Sequence, residues 1–236
     1  MSARFVHALA ALALLAGCDS LPGKPTHDER YVRPDRVTAF ADLYGQNCSG
    51  CHGADGRLGP ARPINDPVYL AVASDADLIR VTSQGVPGTT MPAFAISAGG
   101  TLTDQQIADL VREMRTRWAK PQDVAGVTLP PYAAPLGDAQ RGAAAYASAC
   151  ASCHGADGAG VAGKAKGSIV DGSYLALVSD QGLRTTVIAG RSDLGMPDFR
   201  GGAGATPLSA AQVADVVAFL AAKRPEFPGR PYPESK

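Results

Sequence analysis

Two short stretches of the chain carry thiols and an imidazole at one spacing: "CSGCHGADG" at residues 48–56 and "CASCHGADG" at residues 150–158. Cys48, Cys51 and His52 recur as Cys150, Cys153 and His154, 102 residues further on. Three chemistries use such residues. A dithiol redox pair also reads Cys-x-x-Cys, but it sits beside a βαβ pattern, which is missing here. A zinc site needs four ligands, and each stretch supplies three. Pooling the four thiols would leave both imidazoles and the duplication unexplained. Covalent haem attachment uses all three residues. Two thiols add to the two vinyl groups along one edge of the ring, and the adjacent His binds the iron from one face. The stretches are therefore read as two haem c sites. Cys48, Cys51, Cys150 and Cys153 hold the porphyrins, and His52 and His154 bind the two irons.

The elements around these stretches are duplicated too. "YLAVASDADLIRVTSQG" (69–85) parallels "YLALVSDQGLRTTVIAG" (174–190), and "MPAF" (91–94) parallels "MPDF" (196–199). Here the offset is 105, so the second copy gains three residues within the Gly-rich "AGVAGKAKGS", where insertions cost little. Each copy ends in a helix announced by a capping box, Thr103 with Gln106 and Ser209 with Gln212. Ile107, Leu110, Val111 and Met114 then make one apolar stripe, and Val213, Val216, Val217 and Leu220 make its counterpart. Each copy also opens with a helix, with stripes Val37, Phe40, Ala41, Tyr44 and Ala139, Gly142, Ala143, Tyr146. Little speaks for strands apart from β-branched runs such as "TTVIAG". The reading is all-α, with repeats at 35–118 and 137–224. A Pro- and Gly-rich linker at 119–136 joins them, and a Pro-rich tail at 225–236 follows.

The first residues have a different character. Arg4 precedes the apolar run "ALAALALLAG", which is too short to span a bilayer. Leu15-Ala16-Gly17-Cys18 resembles a bacterial lipobox, which implies removal of residues 1–17 and acylation of Cys18. Asp19 resembles a signal for retention at the inner membrane. Residues 18–34 are polar and Pro-rich and read as a tether. The expected location is the periplasmic face of a bacterial membrane, with haem attached outside the cytoplasm. Net charge is +0, so no basic field calls for nucleic acid. Aromatic residues are only 6% of the chain, so two small domains have thin cores unless a cofactor fills them.

The motifs and the bracketing helices together resemble the class I c-type cytochromes in a two-haem arrangement. The family's terminal helices cross, often through a Gly one turn before an aromatic residue. Gly142 and Tyr146 fit, whereas Phe40 stands in the Gly place before Tyr44. A Gly-Pro after the haem motif, whose carbonyl holds the proximal His, is matched by Gly59-Pro60. The second repeat has no such Pro, so the two haems are expected to differ. The sixth ligand follows by counting. His7 leaves with the leader, His27 lies in the tether, and no other His remains. Met91 and Met196 each precede Pro, 39 and 42 residues past the proximal His, a spacing that resembles the family's distal Met loop. Met114 matches Leu220 and is read as core.

A His/Met iron has no open position for substrate, and its thioether favours the ferrous state. The resemblance therefore implies an electron carrier with no catalytic residue. Its expected partners are a donor resembling a quinol–cytochrome c reductase and an acceptor resembling a haem–copper oxidase. The rival is a two-haem enzyme such as a peroxidase, which needs a displaceable ligand on one iron. Lys164 and Lys166 in the inserted loop are read as solvated rather than as steering charges.

Overall fold

The computed structural model describes Gly23 and residues 31–162, 167–202 and 206–226. The leader (1–17), Cys18, Asp19, His27, Lys164, Lys166 and tail residues 227–236 lie outside the described residues. Residues up to Arg36 form a unit of their own, in which one 3-10 turn, Pro34–Arg36, is described. Everything from Val37 onward forms a second compact unit.

That second unit repeats one helical series. The first copy has α1 (Phe40–Asn47), α2 (Ser49–His52), α3 (Pro67–Val72), α4 (Asp75–Gln84) and α5 (Asp104–Trp118). The second has α6 (Ala139–Ala149), α7 (Ala151–His154), α8 (Gly172–Leu177), α9 (Asp180–Ala189) and α10 (Ala210–Ala221). Among the described residues there is no strand, only the isolated bridges Ala95 with Leu102 and Arg191 with Met196. The β-branched run at 185–188 is helical within α9, with Thr185, Val187 and Ile188 buried. Packing has overridden a weak local preference.

Both capping boxes form. Thr103 Oγ1 accepts from the Gln106 amide at 3.2 Å while Gln106 Oε1 accepts from the Thr103 amide at 2.9 Å. Ser209 and Gln212 do the same at 3.3 and 2.9 Å. All eight residues of the two predicted stripes are buried, Met114 among them. The opening helices differ from expectation. Val37 precedes α1, and Ala41 and Ala143 are exposed, whereas Leu43 and Ala145 are buried. The buried face therefore follows positions i, i+3 and i+4 from Phe40 and from Gly142.

The two crossings are built differently. A Cβ on Gly142 would lie 2.0 Å from the Asp215 carbonyl oxygen, so only Gly lets α6 lie against α10. Arg141 clamps the same place, its Nε and Nη2 each donating to Asp215 carboxylate oxygens at 2.9 Å. In the first repeat Phe40 takes the Gly position, and α1 touches α5 less extensively. Rings occupy the space: Phe40 stacks on Tyr44 at 5.4 Å between centroids, and Trp118 meets both edge-on at 5.6 and 5.3 Å.

One arginine closes the corner between the middle helices of each repeat. Arg115 donates to the Leu70 and Ala73 carbonyls and pairs with Asp75. Arg224 donates to the Leu175 and Val178 carbonyls and to Asp180. The acceptors correspond at the 105 offset, but the donors do not: Arg115 sits inside α5 and Arg224 lies beyond α10.

The repeats share a core. Val68, Tyr69, Leu70, Leu78, Val111 and Met114 belong to one buried cluster with Tyr146, Leu175, Ile188 and Val216. Linker residues Val124, Leu129 and Tyr132 pack against it, and Pro121–Val124 forms a 3-10 turn. Arg184 and Gln181 on α9 hold the linker by donating to the Pro131 and Tyr132 carbonyls. The connection lacks a periodic pattern because its backbone is satisfied by these side chains rather than by a helix.

Gly→Ala inside a helix ordinarily stabilises by about 1 kcal/mol. Gly45→Ala, with open space at its Cβ, is expected to follow that rule. Gly142→Ala is expected to destabilise by about 1–3 kcal/mol because the crossing must widen. Urea denaturation of the two variants checks the opposite signs.

Candidate haem sites

The same local geometry surrounds both motifs. Cys48 and Cys150 each end the opening helix, their amides donating to Tyr44 and Tyr146 carbonyls at 2.8 Å, and each caps the next short helix. Those short helices carry Cys51 and His52, and Cys153 and His154, on a single turn. The phenols of the same tyrosines fasten the following turn: Tyr44 donates to the Gly53 carbonyl at 2.7 Å and Tyr146 to the Gly155 carbonyl at 2.9 Å. Burial raises both phenols, Tyr146 to about 12.

In the second repeat, Cys150, His154 and Met196 line one cleft, with about 440 Å³ of empty space including its mouth. Its walls are Tyr146, Leu183, Val187, Val216 and Leu220 from α6, α9 and α10. Cys153, one residue from His154, does not line it. In the first repeat, His52 is buried and Cys48 is partly buried against the core of Leu43, Tyr44, Leu102 and Ile107. Cys51 is exposed and Met91 partly buried.

His52 Nδ1 donates to the Arg62 carbonyl at 2.8 Å, since a carbonyl can only accept. That tautomer puts the lone pair on Nε2, as a metal-binding imidazole requires. Burial and the nearby Arg62 charge hold the ring below its usual pKa, against the hydrogen bond, and so keep it neutral. The acceptor differs from expectation: it is Arg62, two residues beyond Pro60. The Ala61 amide donates to the Cys51 carbonyl at 2.9 Å, so the loop doubles back before its next carbonyl meets the ring.

Each distal segment rests on a glycine. Gly85 and Gly190 end α4 and α9 at φ +67° and +71°. A Cβ on Gly85 would lie 2.6 Å from the Met91 carbonyl oxygen, and one on Gly190 2.6 Å from that of Met196. The next residues, Val86 and Arg191, donate their amides to those carbonyls at 3.0 and 3.1 Å. Met91 and Met196 thus hang from equivalent backbone seats.

Comparison with known families follows this duplication. The family described as cytochrome c oxidase, cbb3-type, subunit III matches residues 35–112 and again residues 137–220. The chain belongs to this family. Its repeats are cytochrome c domains, all-α and in tandem, and such domains imply haem c and electron transfer. No curated protein matches this chain. Among solved structures, a chain of the Kuenenia stuttgartiensis reducing HAO-like protein complex is 18% identical at a TM-score of 0.48, covering 83% of this chain and 100% of its own. That similarity carries no argument about function.

The residues of this chain fit haem c. The four motif thiols are unpaired as disulfides. Burial and the neighbouring thiol push Cys48 and Cys150 up to about 11, unlike the lowered thiols of dithiol redox sites. Among the described residues no three His, Cys, Asp or Glu gather to hold a metal, so the motifs do not pool into a zinc site. Sequence reasoning missed the tyrosine hydroxyls, the Arg62 carbonyl and the glycine seats. Tyr44 with Tyr146 and Gly85 with Gly190 could have been found, since each pair matches across the repeats.

Raised phenol pKa values set a pH window. Above pH 10 an unfolded Tyr ionises while Tyr146 in the folded chain stays protonated up to about 12. Protons are then bound preferentially by the folded state, so stability is full below pH 10 and falls as pH rises toward 12. Tyr146→Phe is expected to lose about 1 kcal/mol at pH 7 with its hydrogen bond, and to flatten that alkaline slope. Denaturant titrations at pH 7 and across pH 9.5–11.5 test both.

Proposed function

We propose that the chain carries two covalently attached haems c and passes single electrons between membrane complexes at the periplasmic face of a bacterial membrane, held there by an acylated Cys18. The observation that carries this reading is the doubled site: each repeat pairs a Cys-x-x-Cys-His turn with a Met-Pro segment seated on a positive-φ glycine. Cys48 and Cys51 hold one porphyrin, Cys150 and Cys153 the other. His52 with Met91, and His154 with Met196, would bind the two irons. A bound haem would supply one-electron chemistry. The chain's residues keep the proximal ring neutral, line the second cleft with apolar side chains and keep ligand exchange out of the cycle.

Donor and acceptor follow from that chemistry. A quinol–cytochrome c reductase-like complex supplies single electrons, and a haem–copper oxidase-like complex accepts them. The family's name is that of an oxidase subunit, which supports an oxidase as acceptor, with this chain either bound to it or docking as a shuttle. Among the described residues no helix is long and apolar enough to cross a membrane. In this reading the acylated Cys18 supplies the attachment, and two-dimensional search near the membrane replaces diffusion in bulk.

Mass spectrometry of the purified, denatured protein tests the reading. The expected mass exceeds the acylated polypeptide by two haem groups, and Cys150→Ala/Cys153→Ala loses one of them. The oxidised protein is expected to show the methionine–iron charge-transfer band from both centres. A high-spin centre with peroxide turnover would replace the carrier with an enzyme.

A further inference from the structure

The two repeats meet at a seam whose residues the carrier reading leaves without a role. The loop after the first motif lies against the turn that precedes Met196. The Leu58 amide donates to Asp193 Oδ2 at 3.1 Å, Ser192 Oγ donates to Asp66 Oδ2 at 3.2 Å, and Arg57 donates to Ser192 Oγ at 3.3 Å. Arg62 stands within this seam. Its guanidinium donates to Thr185 Oγ1 on α9 and lies 4.4 Å over the Tyr69 ring. Thr185 adjoins Thr186 and Val187, both on the wall of the second cleft. Arg62 Nε is shielded from solvent without a hydrogen-bond partner, and among the described residues the carboxylate acting on the group, that of Asp66, makes no ion pair with it. By contrast, Arg191, another cation of the seam, is paired with Asp193 at 3.0 Å.

We infer that Arg62 is a positioning residue for both redox centres at once: its carbonyl orients His52 in the first, and its guanidinium, held on Thr185 without an ion pair, sets the potential of the second. The inference rests on the two-haem reading above. A ferrous haem carries one positive charge fewer than a ferric one. A fixed cation beside the site therefore favours reduction, and partial shielding from water strengthens the effect. At the 105 offset the second repeat has Gly167 where the first has Arg62. The second haem instead takes its charge from the first repeat, and its potential depends on the seam staying closed.

Redox titration of the holoprotein tests this, with each one-electron step assigned by its displacement in Met91→His and Met196→His. Arg62→Gln removes the charge and leaves the carbonyl to His52 in place. The second-repeat haem is expected to become about three- to tenfold harder to reduce, tenfold being 59 mV for one electron. Arg62→Lys, which keeps the charge, is expected to recover at least half of that shift. Movement of the first haem alone, or of neither, with both haems still bound by mass, overturns the inference and leaves the carrier reading intact. If Arg62→Gln does not accumulate, Thr185→Val removes the anchor and keeps the cation. It is expected to change the spacing of the two potentials by twofold or more in equilibrium constant, and an unchanged spacing again overturns the inference. A purified chain with no haem mass would instead overturn the carrier reading.

Discussion

Contact between the loop following the first Cys-x-x-Cys-His and the segment preceding Met196 holds the molecule's two halves in one body. It is polar at its edge, where Ser192 and Asp193 accept or donate across the seam, and apolar within, where Val68, Leu70 and Leu78 join Leu175 and Ile188. Without it each half would expose the outer face of α3 or α8, and a domain of this size has little core to spare. Asp66 links the two roles directly. One carboxylate oxygen caps α3 through the Tyr69 amide at 2.9 Å, and the other accepts from Ser192 in the second repeat.

Duplication has kept backbone functions more faithfully than side-chain identities. The tyrosine that ties down the motif turn and the glycine under each distal methionine recur in both halves. The helix crossing and the corner-closing arginine do not recur at the same positions. Phe40 and Trp118 fill what Gly142 brings together, and Arg115 and Arg224 reach equivalent carbonyls from different places. A carbonyl corner accepts a donor from any direction that geometry permits. A positive-φ backbone seat under a crowded segment accepts only glycine.

The divergence bears on the chemistry. Only the first repeat has arginines, Arg57 and Arg62, between the motif and the next helix. Only the second has the close crossing that stiffens the opening helix above its cysteines. The two repeats thus place their motifs in different electrostatic surroundings.

Much of this was legible in the chain itself. The haem-binding residue types, the duplication, the all-α class, both capping boxes and both buried stripes of the closing helices are local patterns with strong periodicity or fixed spacing. Local chemistry determines them whatever lies beyond. Tertiary structure alone decided the rest: which carbonyl holds His52, which face of each opening helix is buried, that the linker packs, and that Arg62 reaches Thr185 in the other repeat. Each of these joins residues ten or more positions apart or ranks one helix face over another. Such choices are settled by which groups compete for burial once the chain is compact, and no spacing along the chain records that competition.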